Sequence, residues 1–523
     1  MRALIIIFLV IMVFGCKSKN TKQNSTIEKV TRYSEQYRPQ IHFTPDSMWM
    51  NDPNGMFYYE GEYHLFYQYY PDSNVWGPMH WGHAISNDLV HWEHLPIALY
   101  PDSLGYIYSG SAVVDWNNTS GFGKDSVPPL VAIFTYNDRV GEMNGEIDYQ
   151  TQAIAYSNDK GRTWTKYEDN PVLTNPGIKD FRDPKVRWYQ PQQKWIMSLA
   201  VKDHISFYSS KDLKNWQHES DFQPELGAYG GVWECPDLFP IMDEVSGEEK
   251  WVLFVSINPG APNGGSGTQY FVGSFDGHEF INENKNLLWL DYGKDNYAGV
   301  TWSDIPEEDG RTLFVGWMSN WLYANKVPTE RWRSAMTVTR ELKLKSERGD
   351  LILTSIPVTE FGTLRKEVKT KEQLMIVGSE KVFQEIKLPC EFILGFETIN
   401  HSEFKNVSEY GFSLQNQDGE EFIVSYNTTK QELIINRDNS GVSDFSEDFN
   451  GLQYAPYHAK STLNFRVIVD WASIEIFVNN GERVLTSLVF PKKNYDTISA
   501  FSKDGAILIN KADLYELKSI WNN

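Results

Sequence analysis

From Ile41 to Arg340 the chain is written in short apolar runs broken at Gly, Pro, Asn or Asp. Turn signals recur roughly every ten residues, and nowhere in this span does a long 3.6-residue apolar period develop, so strands are predicted throughout. Five segments share one plan, in which a short polar motif leads into an apolar strand, a turn and a second apolar or aromatic strand: Asn51 to Tyr69, Gly110 to Tyr136, Arg182 to Ala200, Glu234 to Ser256 and Gly299 to Met318. A second element repeats after a strand-like run, as Ser86-Asn87-Asp88 with Trp92, Ser157-Asn158-Asp159 with Trp164 and Ser210-Lys211-Asp212 with Trp216, with a weaker echo at Phe275-Asp276-Gly277 and Phe280. An Asp or Asn turn followed by an aromatic residue suits a crossing between outer strands. The pattern predicts a five-bladed β-propeller, with loops inserted because the spacing exceeds the roughly 40–50 residues of a four-stranded blade. In that fold the starts of the inner strands converge on one end of a central channel.

After Arg340 the pattern changes. Lys-rich stretches, Leu342 to Arg348 and Lys366 to Lys371, flank a less regular region, and from about Val382 short alternating strands return. These are Phe392 to Phe396, Gly411 to Leu414, Phe422 to Tyr426, Glu432 to Ile435, Leu463 to Val469, Ser473 to Val478 and Val484 to Val489. Asn479-Asn480-Gly481 is a strong hairpin signal between the last two. The expected all-β organisation is a propeller over 40–345, a connector over 346–380 and a C-terminal β-sandwich over 381–523.

The N-terminus reads differently. Met1-Arg2 is a short basic start, Ala3 to Gly15 is unbroken apolar sequence, and Cys16 follows. The run is shorter than the roughly 20 residues a spanning helix needs. Residues 1–16 therefore read as a lipoprotein-type signal peptide with Cys16 as the lipidation site, although Val13 and Phe14 depart from the usual lipobox and leave ordinary secretion open. Residues 17–39, polar and without apolar periodicity, read as a flexible tether with folding beginning near Ile41. The expected location is exported and membrane-anchored, facing the periplasm or the cell surface.

With 523 residues, two domains are expected. The net charge of −21 excludes a polyanionic partner such as nucleic acid on electrostatic grounds. Aromatics make up 14% of the chain and include 18 Trp, which suits stacking on sugar rings as well as core filling. Cys235 and Cys390 alone follow Cys16, too few for a disulfide framework.

Three acidic motifs open apolar runs: Trp49-Met50-Asn51-Asp52-Pro53-Asn54-Gly55, Phe181-Arg182-Asp183-Pro184 and Trp233-Glu234-Cys235-Pro236-Asp237. Glycoside cleavage needs one carboxylate at the anomeric carbon and one carboxylic acid to protonate the departing oxygen, and Asp52, Glu234 and Asp183 are the candidates. Each motif alone is weak, because Asp-Pro-Asn-Gly is also turn chemistry. Their equivalent positions in the repeat carry the case. Glu234 is expected to be protonated and so to lie near apolar surface or another carboxylate, and Arg182 is expected to hold Asp183 charged. His80-x-x-His83 and His91-x-x-His94 place their side chains on opposite faces of a strand, so no metal is assigned. Asn258 to Gly267 lacks the Lys and helix of a phosphate loop and is read as a plain loop, and no cofactor is implied.

The motifs in order, from Trp49 through Gln68-Tyr69, Trp76 to His83, Tyr108-Ser109-Gly110-Ser111, Arg182-Asp183-Pro184, Trp233 to Asp237 and Gly316 to Trp321, resemble glycoside hydrolase family 32, most closely its bacterial levanases and exo-acting inulinases. The resemblance runs from about residue 40 to the end and includes Ser473 to Asn479 and Leu485 to Ser487. It implies a five-bladed propeller with a sandwich, and cleavage of fructans with retention at fructose C2. On that resemblance Asp52 is the nucleophile, Glu234 the acid/base and Asp183 the residue that binds fructosyl hydroxyls. Trp49, Asn51, Gln68, Trp76, Ser109, Gly110 and Arg182 form the fructosyl pocket, with Trp317 as a wall and Asp291 and Asp295 as weaker candidates. Tyr108 and Asn296 stand where the family usually has Phe, and both are expected at the pocket rim. Levan (β-2,6) and inulin (β-2,1) both remain open as substrate, with sucrose a further one. Val75 to His83 favours chain-end release over endo attack. An arabinanase-like inverting enzyme and a non-catalytic fructan-binding lipoprotein are the rivals. The sandwich is read as a structural partner and the protein as a monomer.

Overall fold

The computed structural model describes residues 33–347, 349–399 and 407–521. Cys16, the signal segment 1–16 and residues 17–32 lie outside the described residues.

Five antiparallel sheets follow one another along the chain, each beginning with one of the strands that carry a polar motif. The inner strands are Met48–Tyr59, Tyr106–Val114, Phe181–Tyr189, Val232–Met242 and Tyr297–Thr301. The Ser-x-Asp turns lie between third and fourth strands, as expected. In the first, Asp88 Oδ1 accepts from Ser86 Oγ and from the backbone N–H groups of Val90 and His91, which ties the turn to its own backbone. The ring closes through Trp332–Arg333, which pairs in parallel with Met48 and Trp49 of the first blade. Among the described residues α-helix occurs only as the short Arg139–Met143 insert in the second blade.

The region expected to be a connector is built into both domains. Arg340–Glu347 and Asp350–Pro357 form a hairpin that completes the fifth blade, with Phe314 paired to Arg340. Arg365–Gln384 is one long strand paired along nearly all of Thr497–Leu517. The lysines that follow Leu342 are the exposed side of a strand whose other side is buried: Leu342 and Leu344 point into the blade core while Lys343 and Lys345 pair with Glu244 and Glu482; Lys366 to Lys371 lie on a strand segment exposed on both sides.

In the C-terminal domain the first half of Thr497–Leu517 pairs with Glu409–Gln415 and the second half with Cys390–Thr398, so one continuous sheet folds over into two layers. Phe392 meets Phe412 across the layers at 5.2 Å, and Phe412 meets Phe465 at 5.4 Å.

The tether also ends earlier than expected. Tyr33 stacks on Trp521 at 4.0 Å, Arg38 is buried with its guanidinium on the carbonyls of Pro45 and Asp46, and the N–H groups of Gln40 and Ile41 donate to Asp470 of the sandwich. Packing thus begins by Tyr33, because isolated Tyr and Arg side chains in a polar segment find aromatic and backbone partners that periodicity does not reveal.

A polar seam joins the domains. His42 bonds Asp470 at 2.8 Å and Glu475 at 2.7 Å; Glu475 also pairs with Arg340, which reaches Asp291. Burial alone would pull the His42 imidazole down, but the two carboxylates win and raise it to about 9.

Candidate active site

Every inner strand carries a β-bulge near its start, where two residues face one on the neighbouring strand. Asn51 and Asp52 face Gln68, Tyr108 and Ser109 face Thr135, Asp183 and Pro184 face Leu199, Cys235 and Pro236 face Val255, and Ala298 and Gly299 face Gly316. A bulge bends the strand and re-aims its side chains. Asp183 (φ 62°) and Cys235 (φ 45°) sit in the left-handed region that non-glycine residues rarely occupy, a strain typical of residues held for a purpose. Local bonds hold them: the Asp183 N–H donates to Thr135 Oγ1 at 3.0 Å, and the Cys235 N–H donates to Asp183 Oδ2 at 3.0 Å. Prolines at 53, 184 and 236 follow naturally, since a residue without an N–H suits a ladder that is interrupted.

The bulges surround a cavity of about 240 Å³ at one mouth of the channel, and Asp52, Asp183 and Glu234 all line it. Asp52 Oδ2 accepts from Ser109 Oγ at 2.9 Å, and the Cys235 Sγ lies 3.7 Å from that oxygen and 3.6 Å from Asp183 Oδ2. Arg182 donates to Glu234 Oε1 at 2.8 Å and to Asp180 Oδ1 at 2.7 Å, while its Nε stands 4.0 Å from Asp183. The guanidinium expected to serve Asp183 thus makes its hydrogen bonds to Glu234 and Asp180 and acts on Asp183 only through its charge, across 4.0 Å. The phenol of Tyr297 donates to the other Glu234 oxygen.

Burial raises the Asp52 carboxyl to about 6, with Glu234 adding to the rise and Asn51 and Ser109 opposing it. Burial likewise raises Asp183 to about 7, opposed by Arg182 and reinforced by Glu234 and Asp52. The Cys235 thiol is pushed well up by burial and by the surrounding carboxylates, so it remains protonated and acts only as a weak donor. The site thus gathers five carboxyls, those of Asp52, Glu142, Asp180, Asp183 and Glu234, around one guanidinium in a recess, where hydroxyl groups of a ligand would be strongly held.

Asn51, Gln68, Trp76, Ser109 and Arg182 line the cavity with the three acids. Five other candidates do not. Trp317 is fully buried, and the wall is Trp321, whose ring lies 4.8 Å from it. Trp49 is fully buried too and supports the site from beneath, its Nε1 donating to Asn51 Oδ1 at 2.7 Å. Gly110 lies where a Cβ would stand 2.0 Å from the Ile133 carbonyl oxygen, so strand packing demands it. Asp291 and Asp295 belong to the domain seam: Asp291 accepts from Thr486 Oγ1 at 2.6 Å and Asp295 pairs with Arg437 at 2.6 Å. Of the two unusual aromatic-position residues, Tyr108 is at the rim but Asn296 is buried against Asp291. Sequence reasoning missed Tyr297, Glu142, Tyr149 and Asp180. Asn137 and Gln150 were missed as well, although a polar residue ending an apolar strand is a signal that could have found them.

A propeller that gathers three acids in a recess at one channel mouth, backed by a β-sandwich, defines a glycoside hydrolase. The model described as "Glycosyl hydrolases family 32 N-terminal domain" matches residues 42–355 and "Glycosyl hydrolases family 32 C terminal" matches 360–516, and the chain belongs to that family. It is 49% identical over 499 residues to a levanase of Bacillus subtilis (strain 168), covering 94% of this chain and 72% of that protein. It is 37% identical to an extracellular exo-inulinase of Aspergillus awamori, covering 94% and 96%. The crystal structure of the Aspergillus awamori exo-inulinase superposes with a TM-score of 0.85 over 94% of this chain and 100% of that one, at 35% identity.

Proposed function

We propose that the protein releases terminal fructose from β-fructans with retention of configuration, with β-2,6-linked levan as the preferred polymer. Asp52 attacks C2 of the terminal fructosyl unit while Glu234 gives its proton to the departing glycosidic oxygen. Glu234 then takes a proton from water as that water displaces Asp52 from C2, returning both groups to their starting states. Asp183 accepts hydrogen bonds from the fructosyl hydroxyls, and Arg182 and Tyr297 hold Glu234 in place. The observation that carries this reading is the convergence of the three acids, each at or beside a bulge, on one recess with Trp76 and Trp321 at its wall. A recess of this kind suits a chain end better than a chain interior. The 49% identity to a levanase supports the linkage.

The test is a product profile on levan, inulin and sucrose, with the anomer of the first product followed by NMR. Free β-fructose should appear first and fastest from levan, and Glu234→Gln should lower turnover by roughly 10²–10⁴. Early release of long oligosaccharides would replace chain-end with endo attack, and an inverted first product would exclude Asp52 as nucleophile. The same proposal places the enzyme outside the cytoplasm, supported by relatives named as extracellular, and tethered by lipid at Cys16. If wild type and Cys16→Ala fractionate alike as soluble protein, the tether is wrong.

A further inference from the structure

At the opposite mouth of the channel lies a second depression, of about 350 Å³, lined by Trp116, Arg187, Trp188, Trp302 and Asp304. We propose that it is a surface site that holds a stretch of the β-fructan polymer away from the cleavage pocket, an inference that rests on the fructan reading above.

The two sites are separate. Arg187 lies roughly 13 Å beyond Asp183 along the same strand, at about 3.3 Å per residue. Between them the channel is plugged: Lys185 Nζ donates to the Thr301 carbonyl at 2.6 Å and stands 3.2 Å from Asp237 Oδ2, which also accepts from Thr301 Oγ1 at 2.8 Å. A ligand in the far depression therefore cannot be one that has passed through from the pocket. It is also longer. It runs into a neighbouring hollow of about 280 Å³ through shared residues Pro240, Gly310, Arg311 and Thr312, so the surface there is an extended groove.

Its chemistry matches a neutral polyol chain. Trp116 is 60% exposed, yet its orientation is fixed, because its Nε1 donates to Asp304 Oδ1 at 2.9 Å. Asp304 is itself held at φ 59° with its other oxygen accepting from the Val114 N–H at 3.0 Å. A large exposed ring anchored by a half-buried, doubly hydrogen-bonded carboxylate is a preorganised platform for the C–H face of a sugar. Arg187 supplies donors: its Nε binds the Leu238 carbonyl at 3.2 Å, and its terminal nitrogens make no hydrogen bond or ion pair among the described residues. Arg311 is already paired with Asp309 and Glu360, and along the groove Asp304, Glu307, Glu244, Glu249 and Glu341 outnumber Arg187, Arg311 and Lys343, which argues against an anion and for an uncharged ligand rich in hydroxyls. Polymer held here raises the local concentration of chain ends at the cleavage pocket.

The test uses the full chain. In a Glu234→Gln background, migration through native gels containing levan should be retarded, and Trp116→Ala and Arg187→Gln should each weaken that retardation. In the active background Trp116→Ala should raise KM for levan by about 3- to 10-fold, the size of one aromatic contact, with kcat and the KM for sucrose unchanged. Polymer cleavage with unaltered levan binding and KM in both variants would overturn the groove alone. Failure of the wild type to cleave any fructan polymer would instead overturn the reading on which it rests. A concentration-dependent rise in mass that Trp116→Ala abolishes would assign the groove to self-association and overturn the proposal.

Discussion

Replacing Asp52 by Asn should abolish turnover and at the same time make the protein more stable at neutral pH. Asp52 is half-buried, its Oδ1 is buried with no hydrogen-bond partner among the described residues, and its carboxyl is raised from 3.8 to about 6. A rise of about 2 pK units means the folded state carries an ionised Asp52 at a cost of about 3 kcal/mol. Below pH 3.8 the group is protonated in both states and costs nothing. As pH rises from there towards 6 the unfolded chain ionises first, and above 6 the whole penalty falls on the folded protein. Asn removes the charge, so the gain should develop between pH 4 and 6 and then level off. With an unfolding entropy of about 2.1 cal/mol/K per residue, roughly 1 kcal/mol/K for a chain of this length, the gain corresponds to about 3 °C in Tm. Calorimetry of both proteins at pH 4.5 and 7.5 measures it. An equal gain at the two pH values would mean better packing instead of relieved charge, and no gain at pH 7.5 would refute the argument. The result would show activity and stability pulling against each other at one side chain.

Ser109→Ala removes the hydroxyl that opposes the rise of Asp52, so the acid limb of kcat/KM should move to higher pH by about 0.5–1 unit, the scale of one hydrogen bond. A limb that stays in place belongs to another group. His42→Gln should destabilise the domain seam by about 3 kcal/mol at pH 6, since the folded imidazole is raised from 6.5 to about 9. That contribution is complete below pH 6.5 and is lost as pH rises through 9, so the gap in Tm between wild type and variant should close between pH 7 and 10; a constant gap would contradict it.

The three acids were legible because each opens an inner strand of the same repeat, and repeat position survives without any knowledge of contacts. Arg182, Ser109 and Gln68 came with them. Other misreadings share a cause: a buried polar residue looks the same in sequence whether it faces a ligand or a partner domain. Asp291 and Asp295 are buried acids in a conspicuous motif, but their partners Thr486 and Arg437 come from the sandwich, nearly two hundred and about 140 residues away along the chain. Trp317 and Trp321 stand four apart in one aromatic cluster, and composition does not say which ring faces outwards. The Tyr297 contact to Glu234 depends on how two blades meet, which no local pattern encodes. The supposed connector was misjudged because the alternation of Lys343 and Lys345 with buried Leu342 and Leu344 at its edge is a short record for a two-residue period, and Lys366 to Lys371 is exposed on both faces of its strand and shows no period at all.

The shared bulges make the site a matter of counting as much as of identity. In each inner strand two residues occupy the space opposite one, so deleting either would complete the ladder and reverse which side chains face the channel on the near side of that point. A single substitution at Asn51 or Cys235 alters one contact. A single-residue deletion at the same place would turn a whole rim inside out. Length changes should accordingly be tolerated in the loops that surround the pocket, such as the one within the second blade that carries the Arg139–Met143 insert, and new specificities should be reached by lengthening those loops around an inner ring of fixed length.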